Sequence, residues 1–282
     1  MDTIKFDLSK EVAVITGAGG VLCSGFAKVL AEAGAKVALL DINLEAAQKV
    51  ADEINANGGK AIAVEANCLS PESLEESRKA VEKELGACTL LINGAGGNNP
   101  KATTSHEVME DGILDNPDEV SFFDLDNSAF GRVFDLNVRA AVITTQVFAK
   151  DMVKAKYGNI INISSMNAFR PLTKIPAYSS AKAAVSNFTQ WLSVYLAPSG
   201  VRCNAIAPGF FISNQNYDLM LNKDGSLKPR GNKIITHTPM KRFGEQKDLW
   251  GTLLWLSSNE ASGFVTGIVV PVDGGFSAYS GV

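Results

Sequence analysis

The sequence predicts an α/β protein, a single doubly wound domain with a mostly parallel sheet and helices on both faces. Three observations support this fold class. Short apolar runs rich in β-branched residues alternate with segments whose apolar residues recur at helical spacing. The first run ends in a glycine-rich turn and the second in an acidic residue. The alternation continues to a last run at 267–272, so one domain can account for residues 1–282.

The first strand, helix and strand form a recognisable unit. The apolar run 11–16 (EVAVIT) is followed by the glycine turn 17–20, a helical pattern and a second run at 36–40 that ends at Asp41. This order is typical of the dinucleotide-binding βαβ unit of a Rossmann domain. Glycine lets the backbone approach a pyrophosphate at the helix N-terminus, and the carboxylate can accept from both ribose hydroxyls. Because that carboxylate would repel a 2′-phosphate, NAD is favoured over NADP.

The remaining elements continue the alternation. Helices are predicted where apolar residues recur every three or four positions, and strands where short apolar runs lie between turn residues. Pro71 suits the first turn of a helix, and Gly58-Gly59 suits the end of the preceding one. After Asp41 the predicted elements are a helix at 46–57, a strand at 61–65, a helix from 70, a strand at 90–92, a helix at 130–154, a strand at 160–163, a helix at 177–196, a strand at 201–207, a helix at 247–257 and a strand at 267–272.

Composition argues against several classes of protein. With 20% charged residues, a net charge of −4 and no block of like charge, the chain offers no surface for nucleic acid. The N-terminus lacks the apolar core of a signal peptide, and no apolar run reaches the roughly 18 residues of a membrane span, so we expect a cytoplasmic protein without a membrane partner. The four cysteines lack metal-ligand spacing and the two histidines, His106 and His237, lie far apart, which argues against a metal site or a histidine-based triad.

A second group of chemical residues lies between 162 and 182. Ser165 precedes Tyr178 by thirteen residues, and Tyr178 precedes Lys182 by four. On a helix the phenol and the ammonium would share one face, one turn apart. An ammonium near a phenol stabilises the phenolate and lowers its pKa from about 10 towards neutrality. With a serine hydroxyl to bind a substrate oxygen, the three groups suit proton transfer to or from an alcohol or carbonyl.

In order and spacing, these three residues and Asn137 upstream resemble the motif of the short-chain dehydrogenase/reductase family, and the resemblance extends from 10 to 275. It implies hydride transfer between a nicotinamide and a carbonyl carbon, with Tyr178 as acid or base. It also implies that Lys182 positions the ribose, that Ser165 polarises the carbonyl and that Asn137 helps to hold a water beside the lysine. Since the family is often tetrameric, we expect a homotetramer.

Two loops depart from the family pattern. The pattern Thr-Gly-x-x-x-Gly-x-Gly has glycine where this chain has Val21 and Cys23, so we expect a different loop path and leave the individual phosphate contacts open. The motif at 93–96 resembles Asn-Asn-Ala-Gly, with Gly94 replacing the second Asn beside the cofactor ribose. The residues expected to bind the cofactor are Gly17, Gly19, Gly20, Val21, Leu22, Asp41, Asn67, Asn93, Gly94, Ala95, Tyr178, Lys182, Pro208, Gly209, Phe211 and Ser213.

Two long segments are expected to surround the substrate. One is an insertion at about 97–126, which makes this region roughly twenty residues longer than in a typical family member, and the other is a substrate lid at about 210–240. Amide and guanidinium donors suit a polyhydroxylated anion, and arginine can bind a carboxylate through two hydrogen bonds. The residues expected to contact a small sugar-acid substrate are Asn98, Asn99, Lys101, Asn167 and Arg170, with Arg170 or Lys101 facing its carboxylate.

Two other functions stay open at this point. One is a dehydrogenase of a neutral polyol or ketose, or of a gluconate-type substrate, which would use the same catalytic groups. The other is a non-catalytic NAD-sensing regulator on the same scaffold. Such regulators generally lose the tyrosine or the lysine, whereas this chain keeps all four active-site positions.

Overall fold

A computed structural model of the chain describes residues 6–212 and 217–281, except for the side chains of Asp218 and Leu219. Every apolar run predicted as a strand forms one. Each run is short and lies between turn residues, so the chain reverses direction through a helix before the next strand. The strands are β1 (Val12–Thr16), β2 (Lys36–Asp41), β3 (Lys60–Glu65), β4 (Leu90–Asn93), β5 (Gly158–Ile163), β6 (Val201–Pro208) and β7 (Val269–Val272).

The seven strands form one sheet in the order β3-β2-β1-β4-β5-β6-β7, and every neighbouring pair is parallel. This is the doubly wound arrangement that the sequence predicts. The chain builds outwards from β1 to β3 and then returns to the middle, where Val14 of β1 lies opposite Leu91 of β4. In sheets of this kind ligands bind at the carboxyl ends of the strands, at the point where the winding reverses.

Helices connect the strands, and polar side chains or proline begin several of them. The Asn43 side chain accepts from the backbone N–H of Ala46 to cap α2, and Ser70 caps α3 with Pro71 in its first turn. The helices are α1 (Val21–Glu32), α2 (Leu44–Ala56), α3 (Pro71–Glu84), α4 (Asn127–Phe134), α5 (Ala140–Ala155), α6 (Pro176–Leu196), α7 (Tyr217–Met220), α8 (Pro229–His237), α9 (Gln246–Ser257) and α10 (Asn259–Ser262).

Both faces of the sheet are buried. Successive residues of a strand point to opposite faces, so Ala13 and Ile15 pack against α1, α2 and α9, whereas Val12 and Val14 pack against α3, α5 and α6. Burial on both faces is the reason that the strands appear in the sequence as continuous apolar runs instead of alternating ones. The predicted helices on both faces are confirmed.

The helix predicted at 130–154 is interrupted. It begins earlier, as α4, whose first turn is capped by the Asp126 side chain, and a π-helical turn at Asp135–Arg139 separates α4 from α5. A π turn accommodates an extra residue and is frequent at functional sites. Asn137, in the middle of this turn, is buried.

The other differences from the sequence-based elements are local. The last strand begins at Val269 and not at Gly267, because Gly267 has φ 83°, outside the strand region. The segment predicted as an irregular lid contains the nine-residue helix α8, and the insertion contains three short 3₁₀ turns, at Pro100–Ala102, Ile113–Asp115 and Phe122–Asp124. Elements this short give little periodic signal.

The described part of the chain has neither a membrane-spanning helix nor a cluster of metal ligands. No helix within residues 6–212 and 217–281 combines the length and the apolar character needed to cross a membrane. Within the same ranges, no group of three or more His, Cys, Asp or Glu side chains is arranged to hold a metal ion.

Candidate active site

The loops that follow β1 and β4 contact each other at the carboxyl edge of the sheet. The hydroxyl of Thr16, the last residue of β1, accepts the backbone N–H of Gly94 at 3.1 Å and of Ala95 at 3.2 Å. Gly17 has φ 65°, and a Cβ there would lie 3.0 Å from the Cα of Ala95. Only glycine combines this backbone conformation with so close an approach. The two loops predicted to flank the cofactor are therefore adjacent.

Asp41 lies beside the glycine turn. Its carboxylate accepts the backbone N–H of Gly19 at 2.9 Å through Oδ2 and that of Asn43 at 2.9 Å through Oδ1. These bonds hold the carboxylate at the end of β2, next to the loop predicted to approach a pyrophosphate. An acid in this place can bind ribose hydroxyls.

The first turn of α1 contains both positions at which the glycine pattern is broken. Gly20 is the N-cap residue, its N–H donates to the carbonyl of Gly17 at 3.0 Å, and no side chain caps the helix. Val21, Leu22 and Cys23 follow as the first helical residues, a conformation that any L-residue adopts. The free N–H groups of this turn and the helix dipole suit an anionic group.

Other predicted cofactor residues divide into backbone and side-chain positions. The buried Asn93 amide donates to Thr145 Oγ1 at 3.0 Å and Asn162 Oδ1 at 2.8 Å, so it joins β4 to α5 and β5, and only the Asn93 backbone faces the loop. Asn67 is exposed, and its side-chain oxygen accepts the N–H of Leu69 at 3.0 Å.

The end of β6 forms the opposite side of the crevice. Pro208 is its last residue, and the N–H of Gly209 donates to Val272 at 3.0 Å. A Cβ on Gly209 would lie 2.6 Å from the Cα of Asp273, so the chain passes close to the end of β7. Phe211 is buried in the core cluster of this face. The predicted Ser213 lies outside the described residues.

Ser165, Tyr178 and Lys182 come together as their spacing predicts. Tyr178 and Lys182 lie one turn apart on α6, with the Lys182 Nζ 5.6 Å from the centre of the Tyr178 ring. The ammonium is buried and donates to the carbonyl of Ile163 at 2.8 Å. Ser165 follows β5; its hydroxyl accepts the N–H of Asn167 at 3.2 Å and lies near enough to the Tyr178 phenol to act on the pKa of that phenol. Because β5 and α6 are joined by this loop, the three side chains converge at the end of β5.

The predicted effect of Lys182 on the tyrosine is wrong for the protein alone. Burial raises the pKa of Tyr178 above its usual value, and the hydrogen bond from Ser165 offsets only part of that rise. Burial also lowers the pKa of Lys182 to about 8. In the protein alone, burial therefore outweighs any stabilisation of the phenolate by Lys182.

Asn137 holds the start of the insertion in place through hydrogen bonds to Gly97. Its amide donates to the carbonyls of Gly97 at 2.7 Å and Val133 at 2.8 Å, and its oxygen accepts the N–H of Gly97 at 3.2 Å. A Cβ on Gly96 would lie 2.5 Å from Asn137 Oδ1 and 3.2 Å from Lys182 Nζ. Gly96 is a site residue that the sequence analysis did not single out, although the 93–96 motif contained it. The water expected beside Lys182 stays a prediction.

The predicted substrate contacts do not form one cluster. Near the start of the insertion, the Asn98 amide donates to Thr103 Oγ1 at 3.1 Å, and the Asn99 oxygen accepts the N–H of Lys101 at 3.0 Å to cap a 3₁₀ turn. The Lys101 side chain is exposed and contributes to lowering the pKa of Asp126, so it lies near that carboxylate.

Asn167 and Arg170 belong to the loop between Ser165 and Tyr178, called the catalytic loop below. Their side chains contact different parts of the protein. Arg170 donates through Nε to the carbonyl of Ser277, in the C-terminal tail, at 3.1 Å. Asn167 is buried and lines a cavity of about 470 Å³. That cavity borders the face of α6 that carries Ser179 and Ala183, not the face that carries the catalytic pair.

A Rossmann sheet with a Ser-Tyr-Lys group beside its dinucleotide crevice defines the class of nicotinamide-type oxidoreductases. The family model described as short chain dehydrogenase matches residues 11–222, and the chain belongs to this family.

Several relatives match along almost their whole length. A crystal structure of a candidate D-mannonate oxidoreductase from Haemophilus influenzae with bound NAD is 58% identical, covers 98% of each chain and has a TM-score of 0.93. An uncharacterized oxidoreductase of Bacillus subtilis, UxuB, is 52% identical over 98% of each chain. The 7α-hydroxysteroid dehydrogenase of Escherichia coli is 31% identical over 95% of this chain and 94% of its own length.

Proposed function

We propose that this chain is an NAD-dependent oxidoreductase that interconverts D-fructuronate and D-mannonate. The convergence of Ser165, Tyr178 and Lys182 beside the crevice supports the reaction class. The likeness to the Haemophilus influenzae protein, at 58% identity over 98% of both chains, supports the cofactor and the sugar-acid substrate.

The crevice fits the cofactor on three counts. The uncapped first turn of α1 offers backbone N–H groups to a pyrophosphate. The Asp41 carboxylate lies beside the glycine turn, where it could accept from ribose hydroxyls, and its charge would disfavour a 2′-phosphate. The close approach of Gly17 to Ala95 holds the two loops in contact with each other. These contacts favour NAD over NADP.

When bound, NADH supplies the hydride that adds to the ketone carbon. The Ser165 hydroxyl donates a hydrogen bond to the ketone oxygen, and the Tyr178 phenol transfers its proton to that oxygen as it becomes an alcohol. Burial raises the pKa of Tyr178, so the phenol holds its proton at neutral pH and is ready to donate it. Lys182, with a pKa of about 8, is mostly charged there and stabilises the phenolate that remains. Oxidation of the alcohol runs through the reverse steps.

For substrate recognition, we propose Arg170 as the carboxylate ligand. It lies in the loop between Ser165 and Tyr178, and its Nε bond to Ser277 leads its guanidinium to the C-terminal tail. A planar guanidinium matches a carboxylate. The other predicted substrate contacts remain predictions: Asn98, Asn99, Lys101 and Asn167. We propose that residues 210–240 form a lid over the substrate.

We also propose a homotetramer. Trp191, Val194 and Tyr195 form an exposed apolar surface on α6, where the two rings stack 5.0 Å apart, and Phe264 is exposed just before β7. Exposed apolar patches of this kind mark protein interfaces. Sedimentation of the purified protein would test this proposal, and a monomer at micromolar concentration would contradict it.

The experiment that tests the function follows absorbance of NADH after D-fructuronate is added to the purified protein, with NADPH and the neutral ketose D-fructose as parallel controls. Rapid oxidation of NADH with D-fructuronate, slow oxidation of NADH with D-fructose and little oxidation of NADPH are the expected results. Turnover of D-fructose without D-fructuronate would contradict the substrate and retain the reaction class. NADH binding without turnover of any carbonyl compound would favour a regulator.

A further inference from the structure

The insertion and the lid are joined by an ion pair. Lys233, on α8 of the lid, donates to the carboxylate of Glu107, in the insertion. These segments lie on either side of the catalytic loop in the sequence, and the pair links them. Both side chains are partly exposed, at 58% for Lys233 and 37% for Glu107. Exposed pairs of this kind contribute little to stability and exchange readily with other ions.

Two more cations lie near enough to act on the charge of the same carboxylate. Arg230 precedes Lys233 by three residues on α8, and Lys174 belongs to the loop between Ser165 and Tyr178. Both help Lys233 to lower the pKa of Glu107. Lys174 also acts on Glu119, but that carboxylate is paired with His106. Lys233 therefore contacts the Glu107 carboxylate directly, and Arg230 and Lys174 act on the same carboxylate from a greater distance.

Lys174 is held in this place by the backbone. Its carbonyl accepts the N–H of Thr104, in the insertion, at 2.9 Å, and it has φ 74°, which is unfavourable for a side-chain-bearing residue. A strained conformation that persists near a reactive loop can mark a functional position. It places the ammonium four residues before Tyr178, where the insertion, the lid and the catalytic loop meet.

We propose that Lys174, Arg230 and Lys233 form an entry site, where the carboxylate of the substrate binds before it reaches Arg170, and that Glu107 is an internal carboxylate which the substrate replaces there. The inference rests on the proposed sugar-acid function. Replacing one carboxylate by another conserves the charge balance at the site, so the exchange has little electrostatic cost. It also frees α8 from the insertion, because Glu107 belongs to the insertion. A substrate with a carboxylate thereby gains access to the active site, whereas a neutral sugar cannot replace Glu107.

The test compares D-fructuronate with D-fructose in charge-neutralising variants. Lys233→Gln and Arg230→Gln should each raise KM for D-fructuronate by about three- to tenfold and leave KM for D-fructose unchanged. Glu107→Gln should lower KM for D-fructuronate by a similar factor, because it removes the internal competitor. Lys223→Gln, which neutralises an exposed lysine elsewhere in the lid, is the matched control and should change neither.

Equal changes for both sugars would show that the ion pair is only structural, and unchanged KM values would show that the cations are not used; either result overturns the inference. Failure of wild-type protein to reduce D-fructuronate would instead count against the proposed function. In that case the inference is tested directly by the rate of amide hydrogen exchange in residues 229–237, measured once with D-mannonate and once with sorbitol. Faster exchange with D-mannonate alone supports replacement of Glu107, and equal exchange overturns it.

Discussion

The thiol of Cys23 fills the space that a Cβ atom on Gly94 would need. Cys23 lies in the first turn of α1, and Gly94 in the loop after β4. Cys23 replaces a glycine of the family pattern and Gly94 replaces an asparagine, so the two departures compensate each other across one contact. A side chain is gained on the helix and lost from the loop.

This contact predicts that Gly94→Asn overpacks the site. We expect the free energy of unfolding to fall by about 1–3 kcal/mol, because the new side chain overlaps Cys23. In the double variant, Cys23→Gly should restore part of the lost free energy of unfolding, because it removes the overlap. The gain is reduced by the roughly 1 kcal/mol that a glycine costs in a helix. Urea denaturation of both single variants and the double variant measures the coupling. Strictly additive effects would contradict the contact. Gly131→Asn, at a glycine with open space around it and no positive φ, is the control.

Gly96→Ala should impair catalysis more than stability. The added methyl group would press on Asn137 Oδ1 and Lys182 Nζ, and a displacement of about 1 Å in an active site can lower kcat by about a hundredfold. Steady-state kinetics measures the loss. Gly131→Ala, on α4 with no atom near its added Cβ, should retain activity and leave stability equal or slightly higher. Equal kcat values for the two variants would rule out the crowding.

Tyr178→Phe should lower kcat by about 10²- to 10⁴-fold, because it removes the proposed proton donor and keeps the ring. The thermal unfolding midpoint should change little. Tyr195→Phe is the matched control, since Tyr195 is exposed near the far end of the same helix. Unimpaired reduction of a ketone by the Tyr178 variant would contradict the mechanism.

Lys182 should make stability rise with pH in alkaline solution. Burial lowers its pKa to about 8, whereas an unfolded chain has a lysine pKa of about 10.4, so between these values the unfolded state binds more protons and the free energy of unfolding rises. Below about pH 8 the cost of burying the charge is fully present. The Lys182→Met variant should lack this rise in the free energy of unfolding. The contributions of titratable groups that both proteins share cancel when the two pH dependences are compared. Urea denaturation at about pH 7.5 and 9.5 tests it, and identical pH dependence would contradict the lowered pKa.

Asp41→Asn should relax the choice of cofactor. The amide oxygen can still accept from Gly19, but the charge that repels a 2′-phosphate is lost. We expect the ratio of kcat/KM for NADPH to that for NADH to rise by about tenfold or more, since each factor of ten corresponds to about 1.4 kcal/mol. Asp52→Asn on α2 is the control for the change in net charge. An unchanged ratio would mean that Asp41 does not select the cofactor.

The sequence by itself determined the sheet, its parallel pairing and the convergence of Ser165, Tyr178 and Lys182. These follow from local patterns: continuous apolar runs for strands buried on both faces, and the spacing of Tyr178 and Lys182 for a shared helical face. The acid after the second strand was placed in the same way, because the βαβ unit fixes it relative to the glycine turn.

Tertiary structure alone decided the rest, because it depends on distances between segments remote in sequence. The pKa of Tyr178 is governed by burial, which residue spacing does not express. The exchange between Cys23 and Gly94 joins two elements about seventy residues apart in the chain. The ion pair between Glu107 and Lys233 depends on how the insertion packs against α8. The position of Asn167, at a cavity beside α6, depends on loop packing in the same way. Loops have no periodic pattern in the sequence from which such contacts could be predicted.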